Sequence, residues 1–116
     1  MYNIKELFKK KEITGEELEY LLLQRKDNKA DFFLLDVREE YEYDKKRIAG
    51  VDSLIPLSKF FNKVEEIESY KTKNIIVTCK LGGRSAQVQT QLKLMGFDNV
   101  INLAGGISYY KGKTIG

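Results

Sequence analysis

Short apolar runs separated by helical patterns most strongly constrain the fold of this chain. Four runs lie at residues 32–37, 53–57, 74–78 and 100–103, and residues 12–13 are a candidate first strand. The longer runs lack the polar alternation of a half-exposed strand, which indicates strands covered on both faces. Such strands alternating with helices predict an α/β domain with a mostly parallel sheet.

Helix signals fill the intervals between these runs. Thr14 and Glu17 have the spacing of a capping box, which predicts a helix with Leu18, Leu21 and Leu22 on its buried face. From residue 84 a second helical pattern ends at a glycine suited to a helix C-terminus. Weaker patterns predict a short helix at about residues 3–10, a helix at 39–46 with Tyr41 inward, a helix capped by Ser58 with Phe60 or Phe61 in the core, and a final turn at 107–111.

Composition limits the chemistry open to the chain. Its 116 residues predict one domain over residues 1–116, and a net charge of +3 interleaved with acidic residues argues against nucleic-acid binding. One cysteine and no histidine exclude an internal disulfide and Cys–His catalysis, and no metal or other cofactor is expected. The sequence has no apolar leader and no stretch of membrane-spanning length, so a reducing, cytoplasmic setting without membrane partners is expected.

The one cysteine, Cys79, lies where a predicted strand gives way to a helix through a glycine pair. Backbone N–H groups converge at such a turn and the helix dipole is positive there. That environment favours the thiolate, which is the nucleophilic form of cysteine. Asp36 follows another predicted strand, and the carboxyl ends of strands are where sites form in open α/β sheets.

Four motifs follow one another over nearly the whole chain. They are Leu-Leu-Asp-Val-Arg-Glu at 34–39, a segment from Tyr41 to Pro56, the loop at 79–85, and an ending at 96–106 with Gly-Phe, Val, Leu and Gly-Gly. In this order and spacing they resemble the motifs of the single-domain rhodanese (sulfurtransferase) family. The resemblance implies a five-stranded, mostly parallel sheet flanked by helices on both faces.

The resemblance also implies a reaction and its residues. Cys79 would take a sulfane sulfur from a donor and pass it, as a persulfide, to a thiophilic acceptor. The loop that would cradle the persulfide comprises Lys80, Leu81, Gly82, Gly83, Arg84 and Ser85, with Lys80 and Arg84 adding positive charge. Asp36 and Arg38 are expected to support the structure. The expected partners are a small sulfur-donor anion or a protein persulfide, and an external thiol acceptor, because the chain has no second cysteine.

Departures from the family pattern leave alternatives open. Leu81 stands where the family often has a hydroxyl side chain, which favours a polysulfide or a protein persulfide over thiosulfate as the donor. A rhodanese-fold interaction or regulatory module without sulfur turnover is the alternative hypothesis. A phosphatase or arsenate reductase is disfavoured, because the C-x4-R loop is one residue shorter than the C-x5-R loop of cysteine phosphatases and a second cysteine is lacking.

Overall fold

Five parallel strands form the central sheet of the protein. The computed structural model describes residues 2–116. The strands of the sheet are β1 (Glu12–Ile13), β2 (Phe33–Asp36), β4 (Ser53–Leu54), β5 (Asn74–Thr78) and β6 (Asn99–Leu103). They lie in the order β1-β6-β5-β2-β4, and all four pairings are parallel. The predicted α/β class with a five-stranded sheet is confirmed.

Helices cover both faces of this sheet. They are α1 (Ile4–Leu7), α2 (Gly15–Lys26), α3 (Glu40–Lys45), α4 (Phe60–Lys63) and α5 (Gly83–Leu94), with 3₁₀ segments at Leu57–Lys59, Val64–Tyr70 and Gly106–Tyr109. The predicted capping box at the start of α2 is present: the Glu17 N–H donates to Oγ1 of Thr14, and the Thr14 N–H donates to the Glu17 carboxylate. Both bonds satisfy amides that the first helical turn leaves without partners.

The core has two layers, one on each face of the sheet. Alternate residues of a strand point to opposite faces, so neighbours in β2 and β5 enter different layers. Side chains of α4, α5 and the 3₁₀ segment Val64–Tyr70 fill one layer, and those of α1, α2 and the C-terminal segment fill the other. This double coverage explains why the strand runs are apolar without alternation.

Strand register aligns the carboxyl ends of the three inner strands. Asp36 pairs with Thr78, and Val77 pairs with Asn102. Cys79 comes directly after Thr78, so it leaves the sheet at its centre, between the ends of β2 and β6. This is the edge at which the sequence predicts a site.

Three local predictions are wrong. Tyr41 is 68% exposed rather than inward, because α3 is too short and peripheral to bury an aromatic side chain. Ser58 does not cap a helix: it lies within a 3₁₀ turn, and its hydroxyl donates to the Glu39 carboxylate. The strand predicted at 53–57 ends after Leu54, because the chain turns at Pro56 into that 3₁₀ segment.

The sequence patterns do not predict a small antiparallel ribbon that the structure contains. β3 (Arg47–Ile48) pairs with β7 (Thr114–Ile115), which ties the C-terminal segment to the middle of the chain. Two-residue strands give no periodic signal. Within residues 2–116, no helix combines the length and apolar character needed to cross a bilayer.

Candidate active site

The loop between β5 and α5 folds back over its own first residue. β5 ends at Thr78 and α5 begins at Gly83, so residues 79–82 make the whole turn. Gly82 has a φ of +106°, a backbone conformation that residues with a Cβ rarely adopt. This turn directs the Gly82 N–H at the Cys79 sulfur, with N and Sγ 3.0 Å apart.

The Cys79 thiol is buried among hydrogen-bond donors. The side chain is 1% exposed, and its Sγ lies 3.2 Å from Oγ of Ser85. Burial opposes ionisation and is the largest single influence, but hydrogen bonds from the Ser85 hydroxyl and from the Ser85, Gly82 and Leu81 amides outweigh it and lower the pKa of Cys79. The thiolate is therefore favoured by donors that the loop itself supplies.

A buried amide lies behind the Ser85 hydroxyl. Oγ of Ser85 is 2.5 Å from Oδ1 of Asn102 and 3.2 Å from the Gly82 carbonyl oxygen. The Asn102 side chain also donates from Nδ2 to that same Gly82 carbonyl, over 3.2 Å. Asn102 belongs to β6, so the sheet supports the loop from below through a polar side chain.

The C-terminal Gly105–Gly106 turn holds the other side of the loop. The Ile107 N–H donates to the Cys79 carbonyl over 2.9 Å, and the Ser108 N–H donates to the Lys80 carbonyl over 3.0 Å. Gly106 has a φ of +58°, and a Cβ added there would lie 2.4 Å from the Cys79 carbonyl oxygen. Only glycine allows this approach, so the turn is fitted to the loop and not merely near it.

Arg84 does not reach into the loop with its guanidinium. Nη1 and Nη2 bind the two carboxylate oxygens of Glu42 at 2.6 and 2.9 Å, which joins α5 to α3. These bonds lower the pKa of Glu42 to about 2, against the effect of its burial and with help from the Glu39 N–H. The hydrogen bonds to Sγ come instead from loop amides and the Ser85 hydroxyl.

Asp36 and Arg38 form a buried ion pair beside the loop. Nη2 of Arg38 is 2.8 Å from Oδ2 of Asp36, and Nε also donates to this carboxylate. Arg38 donates further to the Lys46 carbonyl. The pair thus fixes the path of the chain after β2.

The outer side of the loop is exposed and bears both charged and apolar side chains. Leu81 is 61% exposed at the tip. A groove of about 390 Å³ lies beside Lys80, and Tyr41, Lys45, Lys46 and Ser108 contribute to its walls. The three lysines of this groove form no ion pair with any of residues 2–116.

The structure brings the sequence-predicted loop residues together around Sγ, but it distributes them differently from expectation. Ser85 contributes its hydroxyl as well as its amide, whereas Lys80 borders the outer groove and Leu81 is exposed at the tip of the loop. Gly83 opens α5 and has no neighbour within 4 Å of an added Cβ. Phe60 is buried in the core, and Phe61 is exposed on a groove beside α5.

Sequence reasoning missed Glu42, Asn102 and the role of Gly106. Asn102 did leave a signal, because it is the one polar residue inside the apolar run of β6. Glu42 left none, since it lies 42 residues from Arg84 in the sequence. Among residues 2–116, no group of three or more Cys, Asp or Glu side chains is placed to hold a metal ion.

Comparison with known sequences identifies the family. The sequence model of the rhodanese-like domain matches residues 17–113. The chain belongs to the rhodanese-like domain family. A crystal structure of a rhodanese-like domain protein from Staphylococcus aureus superposes with a TM-score of 0.73 at 28% identity, covering 90% of this chain and 94% of that one.

Two curated relatives match this chain over only part of their own length. YrkF of Bacillus subtilis (strain 168), a proposed sulfur carrier protein, is 35% identical over 91 residues, which are 78% of this chain and 48% of YrkF. A tRNA uridine(34) hydroxylase of Buchnera aphidicola subsp. Baizongia pistaciae (strain Bp) is 36% identical over 83 residues, 66% of this chain and 26% of the hydroxylase. The chain thus spans about half or less of the length of these relatives.

Proposed function

We propose that this rhodanese-like protein is a sulfurtransferase that carries a sulfane sulfur on Cys79. The observation that carries the proposal is the pair of groups at Sγ, the Gly82 N–H at 3.0 Å and the Ser85 hydroxyl at 3.2 Å. The Leu81 and Ser85 amides add to the lowering of the Cys79 pKa. Fixed donors aimed at a site of negative charge stabilise that charge without reorganisation. A reducing compartment such as the cytoplasm suits this activity, because a free thiolate is needed.

The proposed reaction has two nucleophilic steps. The Cys79 thiolate attacks the sulfane sulfur of a donor R–S–S⁻, a bond forms from Sγ to that sulfur, and R–S⁻ leaves with the electron pair of the broken S–S bond. An acceptor thiolate R′–S⁻ then attacks the outer sulfur, which restores the Cys79 thiolate and releases R′–S–S⁻. Each step replaces one S–S bond with another, so no external oxidant or reductant is consumed.

We propose that donor and acceptor approach over the outer face of the loop. The unpaired Lys45, Lys46 and Lys80 attract an anionic persulfide or thiolate, and the exposed Leu81 and Tyr41 offer apolar contact to a protein partner. The relationship to a proposed sulfur carrier protein supports transfer to and from another macromolecule. The acceptor thiol belongs to another molecule, since this chain has only one cysteine.

Intact-mass measurement tests the proposed persulfide directly. After incubation with inorganic polysulfide, the protein is expected to gain the mass of one sulfur atom, and a thiol reductant should remove it. Cys79→Ala should abolish the gain. Failure of the native protein to form a reductant-sensitive adduct with polysulfide, thiosulfate or a small-molecule persulfide would overturn the proposal.

The side chain at position 81 is expected to set donor preference. Leu81 offers no hydrogen bond to a sulfonate oxygen, so polysulfide should sulfurate Cys79 faster than thiosulfate does. Leu81→Ser introduces a hydroxyl and should raise the thiosulfate rate by roughly two- to tenfold, with little effect on polysulfide. Leu81→Ala is the matched control, because it removes the same apolar bulk without adding a donor. Equal thiosulfate gains in both variants would assign the effect to bulk alone.

A rhodanese-fold interaction module without turnover is the second candidate. The exposed Leu81 at the tip of an otherwise polar loop favours it, since apolar tips commonly contact protein partners. Such a module needs no activated thiol. An alkylation midpoint at the ordinary pH of a cysteine, together with absence of sulfur uptake, would select this candidate.

A further inference from the structure

We propose that Asn102 is a positioning residue that competes with Cys79 for the hydroxyl proton of Ser85. Asn102 contacts the loop through the Gly82 carbonyl oxygen and the Ser85 hydroxyl rather than through Sγ. It acts, we infer, by deciding in which state of Cys79 the Ser85 hydroxyl is free to donate to Sγ.

The geometry gives the Ser85 hydroxyl more acceptors than it can serve. Its Oγ lies 2.5 Å from Oδ1 of Asn102, 3.2 Å from the Gly82 carbonyl oxygen and 3.2 Å from Sγ of Cys79. A hydroxyl has one proton, so it donates strongly to one of these at a time. All three side chains are at least 95% buried, which keeps competing water away.

The orientation of the Asn102 amide is fixed by its other contacts. Nδ2 lies 3.2 Å from the Gly82 carbonyl oxygen and 3.4 Å from a carboxylate oxygen of Glu12, and both of these accept hydrogen bonds. Exchanging the amide oxygen and nitrogen would set an acceptor against both of them. Oδ1 therefore faces Ser85, and it can only accept.

The direction of the Ser85 proton follows the charge on Sγ. When Cys79 is a thiol, its S–H donates to Oγ and Oγ donates to Asn102, so each proton has an acceptor. When Cys79 is a thiolate, the hydroxyl must turn from Asn102 to Sγ. In a persulfide the charge lies on the outer sulfur, and the hydroxyl can return to Asn102. Asn102 thus favours the thiol and the persulfide over the thiolate that carries no sulfane sulfur.

Among the charged groups near this network, Glu12 of β1 is the one that bonds to Asn102, accepting from Nδ2 over 3.4 Å. The others make their own ion pairs or lie on the loop: Lys80, Arg84 of α5 with Glu42 of α3, and the Asp36–Arg38 pair at the end of β2. Loss of the Glu12 contact would act on Cys79 without Ser85, so the Ser85→Ala background is needed to separate hydrogen bonding from a changed field.

The persulfide part of this inference rests on the proposed function, but the thiol titration does not. The rate of alkylation by iodoacetamide is measured against pH, and it reports only Cys79 because the chain has no other cysteine. Asn102→Leu should move the midpoint to lower pH and raise the rate below that midpoint roughly two- to tenfold. Ser85→Ala should move the midpoint to higher pH.

The double variant separates positioning from packing. If Asn102 acts through Ser85, Asn102→Leu has no effect on the midpoint in the Ser85→Ala background. Gln89→Leu is the matched control: Gln89 is a buried amide one turn further along α5 that binds backbone carbonyls of Lys11 and Val100, and its loss should leave the midpoint unchanged. Asn102→Ala, alone and with Ser85→Ala, replaces the leucine variants if those do not fold.

Two results would overturn the inference. One is an unchanged or higher midpoint in Asn102→Leu and Asn102→Ala. The other is the same downward shift with and without Ser85. Neither depends on sulfur uptake, so a protein that fails to form a persulfide can still pass or fail this test.

Discussion

At the scale of single residues, backbone groups are prominent around Cys79, beside the Ser85 hydroxyl. The donors to Sγ that come from Leu81 and Gly82 are main-chain groups, and the Cys79 and Lys80 carbonyls are held by main-chain N–H groups of the C-terminal turn. A site of this kind depends on backbone conformation, and hence on glycine at the positions where φ is positive or space is absent.

Two glycines near the loop should respond oppositely to alanine. Gly106→Ala places a Cβ 2.4 Å from the Cys79 carbonyl oxygen at a φ of +58°, so the variant should lose at least about 2 kcal/mol of unfolding free energy and most sulfur uptake. Gly83→Ala meets nothing within 4 Å at the start of α5 and should gain about 0.5 kcal/mol. Urea unfolding and intact-mass assays of both variants check this. Similar losses in the two would contradict it.

How far the sequence reveals the site depends on how local each contact is. Cys79, the glycine turn and Ser85 lie within seven residues, so a local motif and a family resemblance were sufficient to single them out. The contacts of Asn102 with Ser85 and of Glu42 with Arg84 span 17 and 42 residues, and they exist only because sheet and helix packing bring the segments together. No local pattern encodes such pairs.

At the scale of elements, the Glu42–Arg84 pair connects α3 to the start of α5. Both helices flank the loop, and α3 is only six residues long, so it needs an external anchor. A bidentate arginine–carboxylate pair provides one with fixed geometry. Its partner groups are partly buried, with 30% and 15% of their side-chain surfaces exposed, which limits screening by salt.

The pair should make stability fall at acid pH. A carboxyl whose pKa is lowered on folding stabilises the protein above its unfolded value, near 4.5, and this contribution is lost as pH falls toward about 2. Glu42→Gln should therefore cost roughly 2 kcal/mol at pH 7 and much less near pH 2.

A matched control lies in the same helix. Glu40 contacts Lys59 at 3.3 Å with both side chains more than half exposed, so Glu40→Gln should change the unfolding free energy little at either pH. Chemical unfolding of the native protein, Glu42→Gln and Glu40→Gln between pH 2 and pH 7 measures these differences in unfolding free energy. A Glu42→Gln loss that stays constant with pH would show that packing, and not the charge pair, carries the effect.

The same scale explains which elements the sequence predicted well. The sequence predicts β5 with its observed bounds and predicts where α2 begins, because β5 is a buried apolar run and α2 starts with a capping box. From Pro56 to Tyr70 the sequence predicts a strand end and one helix, whereas the structure has mainly 3₁₀ segments that follow the sheet surface. Such segments have no clear period, since packing rather than propensity sets their path.

At the scale of the whole molecule, β5 is the central strand: it contributes side chains to both core layers, and the loop begins at its end. It has strands on both sides, and Ile75, Ile76 and Val77 are fully buried. Backbone hydrogen bonds in such a strand open only when much of the fold opens. The loop therefore starts from the most constrained point of the sheet.

Amide hydrogen exchange should rank the strands accordingly. Amides of β5 are expected to exchange at least about tenfold more slowly than those of the two-residue ribbon β3–β7, which packs outside the main sheet. Measurement by NMR or mass spectrometry at neutral pH checks the ranking. Faster exchange in β5 than in the ribbon would contradict the assignment of β5 as the most stable element.

The outward-facing Lys80 and Leu81 have a consequence for how such a protein can diverge. The groups that stabilise charge at Sγ belong to the main chain and to Ser85, whereas the side chains at positions 80 and 81 lie on the outer surface of the loop. Under the proposed function, we expect exchange of these two side chains to alter which molecules bind there and to leave the reactivity of Cys79 in place. Partner choice and reactivity would then be separable traits, and new partners could be acquired without rebuilding the site.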